Sequence, residues 1–186
     1  MQALMHTLTT PRLILRQWCA ADLEPFAALN VDPAVMEFMP RCLARAESDA
    51  FAEHAAADLD TRGWGLWAVA ERKRGEFLGC VGLGMPSFRA AFTPCVEILW
   101  RLRRTSWGLG FATEAAAECL RFGFTTLVLP EIVSFTVPAN LRSRAVMERL
   151  GMSRDAGGDF DHPRLPPGHA LRHHVLYRLT QPAWKL

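Results

Sequence analysis

Val96-Glu97-Ile98-Leu99-Trp100-Arg101-Leu102 runs through Arg103-Arg104-Thr105-Ser106 into Trp107-Gly108-Leu109-Gly110-Phe111-Ala112-Thr113, and this stretch decides the fold. Its first seven residues are mostly apolar and bulky, as in a buried strand. Two glycines one residue apart then mark a tight turn. Phe111 to Thr125 carries helical periodicity, with Glu114, Glu118 and Arg121 on one face and Ala112, Ala115, Ala116, Cys119 and Leu120 free to pack on a sheet. A strand that turns at once into a helix points backbone N–H groups outward where the helix dipole adds about half a positive charge. Neither a Walker Lys-Ser/Thr nor a third glycine at dinucleotide-fold spacing follows. Taken alone, the Gly-x-Gly turn therefore keeps two readings, a cradle for a diphosphate or a tight connection.

Outward from this centre the pattern alternates. Upstream, Leu13-Ile14-Leu15 predicts a first strand, Asp22 a helix N-cap, and Asp32-Pro33 a second helical turn. Glu47 to Arg62 reads as an Ala-rich helix stopped by Gly63. Trp64–Ala70 and Phe77–Leu83 read as strands about a polar turn, Arg72 to Glu76, with Gly79 and Gly82 allowing close backbone approach. Downstream, Ile132 to Val137 is strand-like, Asn140 to Leu150 helical and Val175 to Leu179 a last strand. The order predicts an α/β (α+β) protein with helices against a mixed sheet. No repeat, low-complexity tract or linker divides it, so one domain over residues 1–186 is expected.

Composition narrows the classes. Half of the 186 residues are hydrophobic and 22% are charged, which excludes disorder and fibrous repeats. A domain of this length buries roughly 70% of its unfolded surface without staples. Lys and Arg total 21 against 19 Asp and Glu, a net charge of +2, too even for a dedicated nucleic-acid or membrane-surface binder. The five cysteines form no C-x-x-C pair, which fits a reducing compartment. Met1 to Leu15 shows no leader pattern and no stretch reaches the ~20 apolar residues of a membrane span, so a cytoplasmic location is expected.

With its flanks, the central stretch resembles the acetyl-CoA motif of the GNAT acetyltransferases, in the branch of ribosomal-protein N-terminal acetyltransferases (RimJ/RimL type). Thr10-Pro11-Arg12-Leu13-Ile14-Leu15-Arg16, Gly79-Cys80-Val81-Gly82-Leu83 and Asn140-Leu141-Arg142-Ser143-Arg144-Ala145-Val146-Met147-Glu148-Arg149-Leu150-Gly151-Met152 agree in order and spacing, so the resemblance covers nearly the whole chain. It implies a single-domain acyl-CoA N-acyltransferase fold whose mixed central sheet has a splayed strand and flanking helices. It places the pyrophosphate loop on Gly108, Leu109, Gly110, Phe111, Ala112 and Thr113, and the pantetheine arm along Ile98, Trp100, Arg101 and Leu102. Thr105 stands where the motif opens with Gln or Arg, and Leu99 where the branch has Gly. Asn140 matches the family's cofactor-contacting asparagine, with Ser143 and Arg144 one turn on. Asn140 is also a good N-cap, and both roles coexist if the cap uses only its side-chain oxygen. Arg103, Arg104, Arg142 and Arg144 form a basic rim suited to the phosphates.

The implied chemistry is direct attack of an amine on acetyl-CoA in a ternary complex, with no metal. A backbone N–H near Leu99 to Arg101 is the expected oxyanion donor. Glu97, the one carboxylate on its strand, is the candidate base; its other reading is an acid paired with an arginine. Ser143 is the candidate for protonating the departing thiolate, with Tyr177, the only tyrosine, as a rival. Deprotonating an α-amine of pKa ~8 at pH 7 costs about 1.4 kcal/mol and a lysine of pKa ~10.4 about 4.6, so one base suits an α-amine better.

The segment Asp159-Phe160-Asp161-His162-Pro163 to His173-His174 matches no zinc spacing. Asp161, His162 and His173 are candidate acceptor-binding residues in a loop, or structural partners of Arg164 and Arg172. Trp18, Trp64, Trp67 and Trp107 are expected in packing. Partners are then acetyl-CoA and an amine, a protein N-terminus or a small molecule, with the protein a monomer or homodimer and without nucleic acid or membrane. The other function classes are an acyl-CoA sensor without turnover and a metalloenzyme built on the His-rich tail.

Overall fold

The computed structural model describes residues 6–185, so the start of the stretch Met1 to Leu15 lies outside the described residues. Along the chain come β1 (Leu8–Thr9), β2 (Leu13–Arg16), α1 (Ala20–Val31), α2 (Arg45–Arg62), β3 (Leu66–Glu71), β4 (Phe77–Gly84), β5 (Glu97–Leu102), α3 (Phe111–Thr125), β6 (Glu131–Thr136), α4 (Leu141–Arg149), β7 (Ser153–Asp161) and β8 (His173–Thr180). They group into two compact units, one up to Leu83 with Leu99–Cys119, the other Gly84–Ile98 with the chain from Leu120 on. β5 and α3 contribute to both.

The first unit carries the strand order β1-β2-β3-β4-β5. β2 pairs antiparallel with β3 from Leu13↔Glu71, and β3 with β4 from Leu66↔Gly82. Helix α2 ends at Gly63, whose φ of 77° only glycine adopts easily. It begins two residues before the expected start because Glu47 reaches back to the Ala44 N–H (2.9 Å). Asp22 is not the N-cap of α1. Cys19 holds that position, and Asp22, three residues on, accepts from the Cys19 N–H at 2.9 Å and from Arg16 at 2.6 and 2.8 Å. Burial alone would raise the Asp22 carboxyl, but the Arg16 and Cys19 bonds win and hold it below the usual range. Asp32-Pro33 opens one turn and no helix: Asp32 accepts from Ala34 N–H, and its carbonyl from Met36 N–H. Leu13, Leu15, Phe26, Leu59 and Trp67 are fully buried, and Trp18 packs edge-on to Phe26 at 4.9 Å, so these tryptophans are core.

A polar chain crosses that core. Buried Asn30 donates to buried Ser48 (2.9 Å) and accepts from Arg101 Nη1 (2.7 Å). Asn30→Ala removes the partner of the Ser48 hydroxyl and leaves the desolvated Arg101 guanidinium with only a weak contact to Met39 Sδ at 3.6 Å. It is expected to lower stability by about 2–4 kcal/mol, measured by urea unfolding; a loss under about 0.5 kcal/mol would show that water replaces the amide.

In the second unit the order is β5-β6-β8-β7. β5 is the splayed strand: its parallel ladder with β6 is one registered pair, Glu97↔Val133, beside which the Ser134 hydroxyl donates to Ile98 O at 2.9 Å. β6 pairs antiparallel with β8 over six pairs, Glu131↔Thr180 to Thr136↔Val175. Antiparallel pairs and the parallel step from β5 to β6 make the sheet mixed, as expected. β7 is a strand whose last three residues, from Asp159, fall in the segment expected as a loop, and whose earlier part carries no strand signal in the sequence. Its Ser-Arg-Asp-Ala-Gly-Gly-Asp run has no alternation; pairing with β8 holds it, with the register shifting between Asp155 and Phe160. Cys80 and Cys119 are buried as small hydrophobes and Cys19 and Cys42 are exposed. Among the described residues no helix is long and apolar enough to cross a membrane.

Candidate functional site

The glycine turn lies in the first unit. Arg104–Ser106 makes a single 3-10 turn, after which the Trp107 indole donates to Leu102 O (2.9 Å). Gly108 (φ 74°) and Gly110 (φ 79°) both take the left-handed conformation, and a Cβ on Gly108 would meet nothing within 4 Å. Inside α3 the first bonded amide here is Glu114 N–H, on Gly110 O at 3.0 Å. The amides of Leu109, Gly110, Phe111, Ala112 and Thr113 have no acceptor among the described residues. The last five of the six residues expected in the loop are thus successive donors at a helix N-terminus, with open space beside Gly108. The donor set fits a diphosphate.

The strand leading into the loop is more committed than expected. Arg101, expected on the cofactor arm, has its guanidinium bonded to Asn30, in contact with Met39 Sδ (3.6 Å) and over the Phe51 ring at 5.3 Å, so its side chain is engaged within the first unit. Burial lowers its pKa. Ile98 and Leu102 are buried and their carbonyls already accept from Ser134 and Trp107; Trp100 is half-buried. The basic rim is also thinner, since Arg103 is ion-paired with Glu76 (2.5 Å) and bonds Ser106. These arginines were legible as charges, not as already paired.

Glu97 belongs to the second unit. Its carboxyl has no hydrogen-bond or ion-pair partner among the described residues, and burial pushes its pKa up to about 8. The arginine-paired reading fails because Arg178 of this unit is held by Glu131 and Asp155, each at 2.7 Å. Asn140 caps α4, its Oδ1 accepting from Ser143 N–H at 3.2 Å. Its amide is not wholly open, since Nδ2 donates to Thr136 Oγ1 at 3.1 Å, leaving one N–H. The Ser143 hydroxyl has no partner among the described residues. Arg144 donates from Nε to the Tyr177 hydroxyl (3.2 Å) and from Nη1 to Pro138 O (3.1 Å). Tyr177 is buried; its proton goes to Glu148 at 3.0 Å, while its oxygen accepts from Arg144.

The Asp/His segment is strand and turn. Asp161 accepts from Arg172 Nε at 3.0 Å and lies 3.5 Å from His173 Nδ1. His162 packs against Phe88 (4.7 Å) and His174 (5.2 Å), within a half-buried group that includes Phe92, Phe135 and Phe160. Burial above all lowers the pKa of both: at His162 nearby positive charge adds to it, and at His174 it outweighs the bond to the Arg172 carbonyl, which raises it, so both favour the neutral imidazole. Among the described residues no three His, Cys, Asp or Glu are grouped to hold a metal.

Comparisons with known proteins bear on this geometry. Residues 12–153 match the family model described as acetyltransferase (GNAT) domain. The FsC-acetyl coenzyme A-N(2)-transacetylase of Aspergillus fumigatus is 31% identical over 189 aligned positions, covering 96% of this chain and 77% of that protein. A GNAT-family acetyltransferase of Bacillus anthracis superposes with a TM-score of 0.78 at 22% identity, covering 95% of this chain and 99% of that one. A ribosomal-protein-S5-alanine acetyltransferase of Vibrio fischeri has a TM-score of 0.73 at 16% identity, covering 97% and 100%. At those identities the two structures speak for the fold alone.

Proposed function

As the chain belongs to the GNAT acetyltransferase family, matched over residues 12–153, we propose that it moves an acetyl group from acetyl-CoA to an amine by direct attack in a ternary complex. The carrying observation is the run of five acceptor-free amides, Leu109 to Thr113, turned by Gly108 and Gly110 at positive φ. Acetyl-CoA supplies an acyl thioester, a bond that an amine displaces without a covalent enzyme intermediate. The chain does the rest. Amides 109 to 113 hold the diphosphate, and the remaining Asn140 N–H and the held guanidinium of Arg144 add donors. A peptide N–H near Leu99 to Arg101 serves the oxyanion, and the β5 peptide groups guide the pantetheine. As nitrogen bonds to the acyl carbon, Glu97 takes its proton; as the carbon–sulfur bond breaks, Ser143 gives a proton to sulfur and recovers one from solvent.

The acceptor belongs, on this reading, beside Asp161, His162 and His173, where polar side chains and half-buried aromatic rings suit an amine next to an apolar group. The RimJ/RimL motif and the one base favour an α-amine, whether of a protein N-terminus or a small molecule. The Aspergillus relative, named for N(2) transfer, supports nitrogen as the acceptor atom. The reading includes one domain over 1–186, a cytoplasmic location, no resident metal, and a monomer or homodimer.

A thiol-release screen of purified protein over N-terminal peptides, aminoglycosides and small amines tests it. Release is expected with at least one class; tight CoA binding with no release anywhere would favour the sensor. Ser143→Ala is expected to lower kcat by about 10- to 100-fold with CoA affinity unchanged in a calorimetric titration. An unchanged kcat would remove Ser143 from the proton path.

A further inference from the structure

The glycine turn is exposed, with Leu109 half in solvent at 53%, yet it must hold five amides in one direction. What fixes it comes from the other end of the sequence, within the same unit. Thr10 to Leu13 closes on itself: Thr10 N–H donates to Leu13 O (3.0 Å) and Leu13 N–H to Thr10 Oγ1 (2.9 Å). Pro11 restricts this turn, and Arg72 backs it, donating from its N–H to Arg12 O at 2.9 Å and from Nη1 to Thr10 O at 3.0 Å. The turn thus presents Thr10 and Arg12 as a preset pair.

Both meet Glu114, in the first turns of α3. Its Oε1 accepts from Thr10 Oγ1 (2.6 Å) and Arg12 N–H (2.9 Å), and its Oε2 from Arg12 Nε (2.6 Å). Burial alone would raise this carboxyl; the Thr10 and Arg12 bonds outweigh it and hold the group below its usual range. Arg12 then reaches the loop itself. Nη1 donates to Leu109 O at 2.9 Å, the guanidinium lies over the Phe111 ring at 4.6 Å, and a Cβ on Gly110 would sit 3.4 Å from Nη2. One side chain touches the residues on both sides of Gly110 and the residue that anchors the helix behind it.

We propose that Thr10, Arg12 and Glu114 form a clamp that positions the Gly108–Thr113 loop for the diphosphate of CoA. The clamp acts in two ways. It fixes the carbonyl of Leu109 away from the amide row, so the row is preformed and less ordering is lost on binding. It also takes up the Glu114 carboxylate. An acid in the first turn of a helix otherwise turns back onto the free amides and competes with a phosphate for them. Arg12 and Glu114 are positioning residues; the amides make the contact. The inference rests on the proposed acetyl-CoA function.

The test uses the full chain with Arg12→Ala, Arg12→Lys, Thr10→Val and Glu114→Gln. Without any ligand, hydrogen exchange at the bonded amides of Arg12 (on Glu114 Oε1) and Glu114 (on Gly110 O) is expected to speed up in Arg12→Ala and Glu114→Gln, while exchange in β3 and β4 stays at the wild-type rate. CoA affinity by calorimetry is expected to fall about tenfold in Arg12→Ala, with Arg12→Lys and Thr10→Val intermediate. KM for acetyl-CoA is expected to rise by a similar factor, but KM for S-acetylpantetheine, which lacks the diphosphate, to stay the same. Equal loss with both donors, or wild-type exchange and CoA affinity in Arg12→Ala, would overturn the clamp. Should Arg12→Ala not fold, Thr10→Val and Arg12→Lys, which keep most contacts, carry the same comparison. A wild type that bound no CoA would overturn the functional reading instead, and the ligand-free exchange result would still decide whether these residues order the loop.

Discussion

Glu97→Gln is expected to lower kcat by about 100-fold or more, within the range for losing a general base, while CoA binds as in the wild type. The reason is the pKa. A carboxylate of ordinary pKa is too weak a base to take a proton from an amine, whereas burial without a cation sets Glu97 at about 8. At pH 7 roughly a tenth of it is ionised, and the basic form grows with pH up to and beyond 8. An α-amine titrates in the same range, so the acceptor must be chosen to separate them. With an amine of pKa near 5, already neutral at pH 7, a rise in rate through pH 8 belongs to Glu97 and is expected to vanish in Glu97→Gln. A rise that survives in the variant would remove Glu97 from the mechanism.

The same shift has a sign for stability. The folded chain holds the Glu97 proton more tightly than the unfolded chain, whose glutamate keeps the ordinary value near 4.5. Its contribution is therefore fully present below about 4.5 and is lost as pH rises through about 8. Glu97→Gln is expected to match the wild-type Tm at pH 4 and to exceed it at pH 9. An activity loss accompanied by a lower Tm at pH 9 would show a damaged fold.

Local patterns were legible in the sequence and long-range partners were not. The bounds of α3 match the expected Phe111 to Thr125 because Gly110 has a positive φ that stops any earlier start, a fact carried by one residue. β1 is two residues long and carries no pattern at that length. β7 lacks alternation and exists because β8 offers it an edge. The loop residues were visible as a motif, but not their support: Glu114 accepts from Arg12, 102 residues away, and nothing local to either marks the other as partner. Glu97 misled in the opposite way. Arginines at 101, 103 and 104 suggest a partner by proximity in sequence, yet Arg101 and Arg103 are taken by Asn30 and Glu76. A solitary acid is defined by absences across a whole neighbourhood, which only the fold supplies.

Gly79→Ala is expected to damage the fold severely. Gly79 lies in β4 with φ at 138°, a backbone conformation that residues with a side chain rarely adopt. Space is the harder limit. A Cβ there would sit 2.2 Å from the carbonyl oxygen of Arg101 and 2.8 Å from Cα of Leu102. Both are backbone atoms, so no rotamer relieves the clash, and β5 would have to move away from β4. A cost of about 3 kcal/mol or more is expected, a large share of the ~5–15 kcal/mol that holds a domain folded. Gly75→Ala is the control. It too has a positive φ, 67°, but meets nothing within 4 Å, so only the conformational cost of about 1 kcal/mol remains. Urea unfolding of the two variants separates crowding from backbone strain. Because Arg101 and Leu102 lead straight into the glycine turn, any Gly79→Ala protein that stays folded at low temperature is expected to bind CoA more weakly, whereas Gly75→Ala binds normally. Equal, small losses of stability in both variants would mean that the β4–β5 approach is loose, and that the strand feeding the loop owes its place to something other than a missing side chain.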